Sequence, residues 1–115
     1  TQRLPRLIGE TRAKQLIFTG QTISAQTALE WGLVNSVQTA GTLLEETLAL
    51  AAAIAQNSPF AVSRAKRSVN GGREMLPEEA LEWERDLFGE CGDSRDRREG
   101  MTAFIEKRPR IFTGE

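Results

Sequence analysis

The chain has 115 residues with 15 basic and 16 acidic side chains, so it is at most one domain, and its net charge of −1 does not favour nucleic acid or an anionic membrane. It has no histidine and one cysteine, Cys91, which excludes a Ser-His-Asp triad, a histidine-ligated metal site and an internal disulfide within these residues. No apolar run reaches the roughly 20 residues of a membrane span. The first residue is Thr1 and not a methionine, so we expect a fragment or a processed chain.

Helix signals dominate the N-terminal third. A helix is predicted between Gly9 and Gly20, with Gly20 as its C-cap. Ser24 can cap a second, short helix that ends at Gly32. The run LVNSV, residues 33–37, has the only strand-like pattern, and it is short. An almost all-helical chain is therefore expected.

The segment 42–57 is predicted to be an unusually apolar helix. Thr42 and Glu45 fit a capping box at its start. At 100° per residue, its leucines, isoleucine and alanines cover roughly 200°, against about 100° for a helix with one buried face. Such a helix needs cover on two sides, and two explanations stay open. Either a partner subunit or a missing body of the same protein covers one side, or the other helices of this chain wrap it.

Two helices of opposite charge follow. Ser58 and Pro59 open the first, which two glycines close, and Pro77 opens the second with glutamates in its first turn. The first helix is basic and the second acidic, so their charged faces are expected to pair. Nucleic-acid binding by the basic residues is the alternative, which the net charge and the lack of interleaved aromatic residues disfavour. The basic residues are Arg64, Lys66, Arg67 and Arg73.

Glu84 is the odd residue of the acidic helix. By helical spacing it falls on the apolar face that also carries Leu87 and Phe88. A buried carboxylate must be paired or must change its pKa. We therefore expect an ion pair between Glu84 and a basic residue of a neighbouring helix, rather than a catalytic role.

The last predicted helix is capped by Asp93 or Ser94. Gly100, Phe104 and Lys107 fall within about 60° of one another on it. A phenyl ring offers a flat apolar wall, an ammonium binds phosphate as a point charge, and glycine leaves room for a close approach. Together they suit a nucleotide-like ligand, although a core phenylalanine beside a solvated lysine gives the same pattern.

Three phrases in order resemble the enoyl-CoA hydratase/isomerase (crotonase) superfamily. They are TQRLPRLIG at 1–9, LIFTGQTISAQTALEWGLVNSV at 16–37 and DRREGMTAFIEKRPRIFTGE at 96–115. The closing phrase of that family has the pattern D-x-x-E-G-x-x-A-F-x-E-K-R. This chain matches it at Asp96, Glu99, Gly100, Ala103, Phe104, Glu106, Lys107 and Arg108. The resemblance covers the whole chain without large gaps.

The resemblance implies an all-α chain that forms the C-terminal helical part of a crotonase-like α/β enzyme, with the N-terminal βα spiral domain absent. Residues 1–57 would be the helices that follow the TQRL turn, including the doubly apolar helix 42–57, and residues 58–115 the helical oligomerisation part. The implied assembly is a homo-oligomer, a trimer or a dimer of trimers. The expected location is the cytoplasm, or the mitochondrial matrix if eukaryotic, with neither nucleic acid nor a membrane as partner.

The resemblance also implies a binding role at the end of the last helix. Phe104 and Lys107 match positions that help to hold the CoA moiety, often one bound to a neighbouring subunit. No catalytic residue is transferred, because the oxyanion hole and the two glutamates of hydratases precede the TQRL phrase. No metal and no separate cofactor is implied, since coenzyme A is part of the substrate.

The expected activity belongs to a parent enzyme that acts on acyl-CoA thioesters. Hydration of a 2-enoyl-CoA is the first choice, and an isomerase or another crotonase-family reaction is the alternative. This chain alone lacks the catalytic glutamates and is expected to be inactive. A different class of function also stays open, that of a non-catalytic helical module for oligomerisation or interaction.

Overall fold

The computed structural model describes all 115 residues as seven α-helices without a β-strand, which confirms the predicted all-α class. The helices are α1 (Arg3–Ile8), α2 (Glu10–Thr19), α3 (Ala25–Glu30), α4 (Leu43–Ala55), α5 (Pro59–Gly72), α6 (Pro77–Gly92) and α7 (Arg95–Glu106). They divide into two compact units, Thr1–Glu46 and Thr47–Glu115. The functional division at residue 57 stays a prediction. No helix combines the length and the apolar composition that crossing a membrane requires.

The first unit follows its cap residues. Gly20 adopts the left-handed conformation, with φ 63°, and ends α2 by donating its N–H to the carbonyl of Leu16. Ser24 caps α3 as predicted, because its hydroxyl accepts the N–H of Thr27 at 3.0 Å. Helix α1 was not predicted. It tolerates Pro5 because the first turn of a helix has no intrahelical partners for its N–H groups.

The strand-like run at 33–37 forms no strand, so that interpretation was wrong. Its first residue is used to end the preceding helix. Leu33 donates its N–H to Ala28 at 2.8 Å and Gly32 donates to Leu29 at 3.0 Å, with Gly32 left-handed at φ 74°. This is the Schellman pattern, which needs a helical stop and not an extended chain.

Helix α4 has no buried residue. Leu44 is 71% exposed, Leu48 58% and Ile54 50%. The explanation in which the other helices of this chain wrap α4 is therefore wrong. The apolar faces of this helix lack cover in this chain.

In the second unit, α5 packs against α6. Ser58 caps α5 by accepting the N–H of Ala61 at 3.1 Å, and Pro59 takes the first helical position, both as predicted. Near the end of α5, a Cβ added at Gly71 would lie 3.1 Å from Nε1 of Trp83. Glycine therefore lets the two helices approach closely here. Leu87 of α6 is the largest fully buried side chain.

The charged faces of α5 and α6 pair, as predicted. Arg64 Nε lies 2.8 Å from Oε2 of Glu90, and Arg67 Nη1 lies 3.8 Å from the same atom. The two guanidiniums also stack on rings, Arg64 on Phe60 at 3.8 Å and Arg67 on Trp83 at 5.3 Å. These contacts occupy two of the four basic residues, which argues further against a nucleic-acid surface.

The ion pair expected for Glu84 does not form. The prediction assumed a buried side chain, whereas Glu84 is exposed. The face of α6 that carries it is only partly covered. Leu81 is 65% exposed and Phe88 78% exposed on the same helix. A carboxylate on such a face keeps its water and needs no partner.

The chain has more accessible surface than a self-contained protein of its size. It exposes 9141 Å² at a mass of 12.7 kDa, whereas folded monomers of that mass expose about 6,200 Å². Even two independent units of half that mass would together expose about 7,500 Å². The excess is typical of a part that is covered by other protein.

Candidate functional site

The candidate site lies at α7 and the residues after it. Of the two predicted caps, Ser94 is the one used, since its hydroxyl accepts the N–H of Arg97 at 3.0 Å. The helix runs to Glu106, and the chain then continues in extended and irregular form to Glu115. Two carboxylates of α7 hold this final segment.

Asp96 is the first of these carboxylates, and it is 2% exposed. It accepts hydrogen bonds from the hydroxyl of Ser58 at 2.5 Å and from the N–H groups of Thr113 at 2.8 Å and Gly114 at 3.0 Å. Its own N–H donates to the carbonyl of Glu115 at 2.9 Å. Asp96 therefore joins the starts of α5 and α7 to the C-terminal segment.

These hydrogen bonds also fix the charge of Asp96. Burial by itself raises the pKa of a carboxyl group, because it disfavours the charged form. Here the hydrogen bonds from Ser58, Thr113 and Gly114 outweigh burial, and the pKa of Asp96 falls below its ordinary value. The side chain is an anion at neutral pH.

Glu99 is the second carboxylate, one turn further along α7. Its Oε1 lies 2.7 Å from Nη1 of Arg108 and its Oε2 lies 2.8 Å from Nη2, a two-pronged ion pair. Oε1 also accepts the N–H of Ile111 at 2.8 Å. Hydrogen bonds from Arg108 and Ile111 lower the pKa of Glu99 to about 2. Glu106 adds a further contact to Arg108, 2.7 Å from its Nε.

Helix α7 ends in an unusual way at Lys107. This lysine has φ 53° and ψ 39°, and it is the only residue other than glycine with a positive φ. Its N–H donates to Phe104 at 3.4 Å, and the N–H of Arg108 donates to Ala103 at 3.0 Å. This is again the Schellman pattern, in which glycine is the usual left-handed residue.

The predicted pair is therefore arranged differently from a helical projection. Lys107 lies just beyond α7, so the helical angle does not set the direction of its side chain. Phe104 is on the helix and is 85% exposed, so it is not part of a core that these residues form by themselves. The ammonium of Lys107 forms no ion pair, in contrast to its neighbour Arg108.

The room left by Gly100 is used within the chain. A Cβ at Gly100 would lie 3.5 Å from the ring of Phe112, so the C-terminal segment packs over this glycine. The guanidinium of Arg110 lies 5.7 Å from the centre of the Phe112 ring. The close approach that the sequence suggested for a ligand is thus made at this position by the chain itself.

Beside this segment is an open, mainly apolar cleft of about 900 Å³. Phe88, Met101, Phe104 and Phe112 contribute apolar walls, and Arg97 lies at the same cleft. The cleft can offer a flat apolar surface with Arg97 in its lining, whereas Lys107 is not a lining residue. Of the carboxylates at this end of the chain, those of Asp96 and Glu99 are already bound to donors, whereas Asp93 is exposed at the cleft.

Sequence reasoning missed the roles of Asp96 and Glu99. In the sequence, both residues stand out only as matches to a family phrase. A carboxylate in the first turn of a helix is a signal for N-terminal stabilisation. Nothing in the local sequence of Asp96, however, indicates hydrogen bonds to residues 17 and 18 positions later.

Taken together, the uncovered apolar faces and the excess of accessible surface indicate a helical part of a larger protein. The chain belongs to the enoyl-CoA hydratase/isomerase family, whose sequence profile matches residues 1–115. This membership confirms the resemblance found in the sequence.

Individual relatives support the assignment. The chain is 46% identical over 108 residues to the short-chain-enoyl-CoA hydratase of Clostridium acetobutylicum, covering 94% of this chain and 41% of that protein. It is 44% identical over 112 residues to the mitochondrial enoyl-CoA hydratase of Pongo abelii, covering 97% and 39%. The crystal structure of enoyl-CoA hydratase from Bacillus anthracis matches with a TM-score of 0.96 at 44% identity, over 99% of this chain and 44% of that chain.

The chain thus spans about two fifths of the length of the curated relatives it matches. It corresponds to the C-terminal helical part of the crotonase fold, as predicted.

Proposed function

We propose that this chain supplies subunit assembly and part of the CoA site of an enzyme that acts on acyl-CoA thioesters. Hydration of a 2-enoyl-CoA is the proposed reaction, because the relatives at 46% and 44% identity are named enoyl-CoA hydratases. Isomerisation is the alternative that the family description carries. Coenzyme A enters as part of the substrate and not as a separate cofactor. The proposed location is the cytoplasm, or the mitochondrial matrix in a eukaryote.

The observation that carries the CoA-binding role is Lys107. A residue with a Cβ costs about 1–2 kcal/mol in the left-handed conformation, which glycine avoids. Backbone strain of this kind gathers at ligand-binding sites. Here the strained residue has an unpaired ammonium and directly follows a helix on which Phe104 is 85% exposed.

The chemistry of the two side chains fits coenzyme A. Its phosphates suit a compact point charge such as an ammonium, and its adenine ring suits a flat apolar wall such as a phenyl group. The cleft beside Phe104 supplies further apolar surface. We therefore assign Phe104 and Lys107 to CoA binding and assign no catalytic role to any residue of the chain.

The proposed inactivity of the chain alone rests on the family resemblance, in which the two glutamates of hydratases precede the TQRL phrase. The two carboxylates that hold the C-terminal segment do not replace them. Asp96 and Glu99 are held as anions by several donors each, with lowered pKa values. A general acid or base needs a pKa near the working pH and a free lone pair or proton. Neither carboxylate meets that requirement.

The proposed assembly role rests on α4. Its leucines and isoleucine are about half to three quarters exposed, although the helix is apolar over most of its circumference. Large exposed apolar patches mark protein interfaces. A homo-oligomer, a trimer or a dimer of trimers, is the proposed assembly of the enzyme that carries this chain.

Lys107→Ala in that enzyme tests the CoA role. We expect KM for the acyl-CoA substrate to rise about 3- to 10-fold while kcat changes little, because the substitution removes binding that substrate and transition state share. The effect should shrink with added salt, which screens an exposed charge. Steady-state kinetics at two ionic strengths measure both quantities.

The matched control is Lys66→Ala, which removes an exposed lysine from α5. It should leave KM unchanged. A fall in kcat at constant KM for Lys107→Ala, or an equal change in both variants, would contradict the proposed role.

A further inference from the structure

The turn at Lys107 requires something to hold it. Lysine has backbone conformations of lower energy than the left-handed one. The surrounding structure must therefore hold Lys107 in that conformation. Backbone hydrogen bonds supply part of that constraint. The N–H of Lys107 donates to the carbonyls of Ala103 and Phe104, and the N–H of Arg108 donates to the carbonyl of Ala103. Side chains that bind the residues after the turn can add to it.

Glu99 supplies that constraint from within α7. It lies eight residues before Lys107 and binds two groups just after it, the guanidinium of Arg108 and the N–H of Ile111. Its side chain is 24% exposed, and that of Arg108 is 37% exposed, so the pair is partly shielded from water. The strained lysine therefore lies between the end of α7 and a segment that is bound by Glu99 of the same helix.

The other carboxylates near the turn act differently. Glu106 also binds Arg108, but the structure gives it no contact with the backbone beyond Lys107, and its side chain is 54% exposed. Asp96 holds Thr113 and Gly114, further along the chain. Glu99 is the carboxylate that binds both the side chain of Arg108 and the backbone beyond it, at Ile111.

We propose that Glu99 is a positioning residue, which holds the Lys107 turn so that the ammonium faces the CoA phosphates without itself touching the ligand. This inference rests on the proposed function, since it needs Lys107 to bind CoA. It predicts that removing the charge of Glu99 disorders the turn and weakens CoA-ester binding through Lys107 alone.

The first measurement is kinetic and uses the complete enzyme that carries this chain. Glu99→Gln should raise KM for the acyl-CoA substrate about 3- to 10-fold with kcat little changed. In the Lys107→Ala background the same substitution should have no further effect, because the group it positions is gone. Two effects that multiply in the double variant would overturn the proposal.

The second measurement follows the turn directly and does not depend on CoA. We expect trypsin to cut after Lys107 mainly when the turn opens, because proteolysis needs a locally unfolded chain, and not to cut after Arg108, because Pro109 follows. Glu99→Gln should speed the cut after Lys107 about fivefold or more, with mass spectrometry to identify the products. The cut after Arg73, in the turn between α5 and α6, serves as the internal control and should keep its rate.

Matched variants keep the test decisive. Glu106→Gln removes the other carboxylate at Arg108 and should have the smaller effect on both measurements. If Glu99→Gln fails to fold, Arg108→Lys keeps the positive charge but loses the two-pronged geometry, and it should act in the same direction.

An unchanged cut after Lys107 would show that Glu99 does not hold the turn. A faster cut with unchanged KM, while Lys107→Ala raises KM, would overturn the positioning role alone. An unchanged KM for Lys107→Ala would overturn the CoA role itself and the positioning role with it, whereas the rate of the cut would still report on the turn.

Discussion

Helices α4 and α7 both depart from the rule that apolar side chains are buried and charged side chains are exposed. Leu48, in the middle of the apolar helix α4, is 58% exposed. Asp96, a charged residue at the start of α7, is 2% exposed. The aliphatic side chain is left in water and the carboxylate is removed from it.

The difference lies in where each side chain finds its partners. Asp96 is buried because donors from Ser58, Thr113 and Gly114 lie in the same compact unit and replace its water. Leu48 needs only an apolar neighbour, but no residue of α4 is buried in this chain. Asp96 thus finds its partners within this chain, whereas the apolar residues of α4 do not.

The largest expected effect tests the dependence of α4. Leu48→Asp should weaken assembly of the complete enzyme about 100-fold or more, because the assembled state would bury an unpaired charge. The helix itself should survive, since Asp costs less than about 1 kcal/mol at an exposed helical position. Sedimentation velocity over a range of concentrations measures the association, and far-ultraviolet circular dichroism checks the helix.

Gln38→Asp is the control for the charge itself. Gln38 is exposed and lies outside α4, so the same charge there should not change the association. If the Leu48→Asp enzyme assembles as tightly as the parent, α4 is not an interface and the contrast with α7 must be explained otherwise.

The next effect tests whether the hydrogen bonds of Asp96 stabilise the fold of this chain. Asp96→Ala should lower the free energy of unfolding by about 3 kcal/mol, because buried N–H and hydroxyl donors lose their acceptor. Asp96→Asn should cost less, since one carbonyl oxygen remains. Urea unfolding followed by tryptophan fluorescence measures both. Asp86→Ala, at an exposed position of α6, should change the same free energy by less than about 0.5 kcal/mol.

The pH dependence of the Asp96 effect has a defined sign. The pKa of Asp96 in the folded chain lies below its ordinary value of 3.8. The ionised carboxylate therefore makes its full contribution to the free energy of unfolding at pH values above that ordinary value. It is lost as the pH falls through the lower folded pKa. The difference between parent and Asp96→Ala should therefore shrink in acid, and a constant difference would mean that the carboxylate charge is not the stabilising group.

Sequence reasoning succeeded where the signal is local. Ser24, Ser58 and Ser94 each accept an N–H three residues later, a pattern that short polar side chains before a helix predict by themselves. It failed for Glu84, whose burial depends on how far α5 covers α6. It also failed for Asp96, because a bond to Thr113 depends on where a distant segment returns.

The candidate site shows the same division. The nature of Phe104 and Lys107, a ring and a cation at the end of a helix, was readable from the sequence. The left-handed turn was not, since helical angles assume that the helix continues to Lys107. Nor was Glu99 recognised as its support, because the bonds to Arg108 and Ile111 form only after that turn has brought them back.

The smallest expected effect separates the stability of the Lys107 turn from its proposed role in binding the acyl-CoA substrate. Lys107→Gly should stabilise the chain by about 0.5 kcal/mol, because relief of left-handed strain exceeds the entropy that glycine loses on folding. The same variant should raise KM for the acyl-CoA substrate as much as Lys107→Ala does. Lys107→Ala keeps a Cβ in the strained turn and should gain no stability. A variant with glycine that is more stable and binds as well as the parent would show that the lysine side chain has no role in binding, and that the strain at this turn serves no ligand.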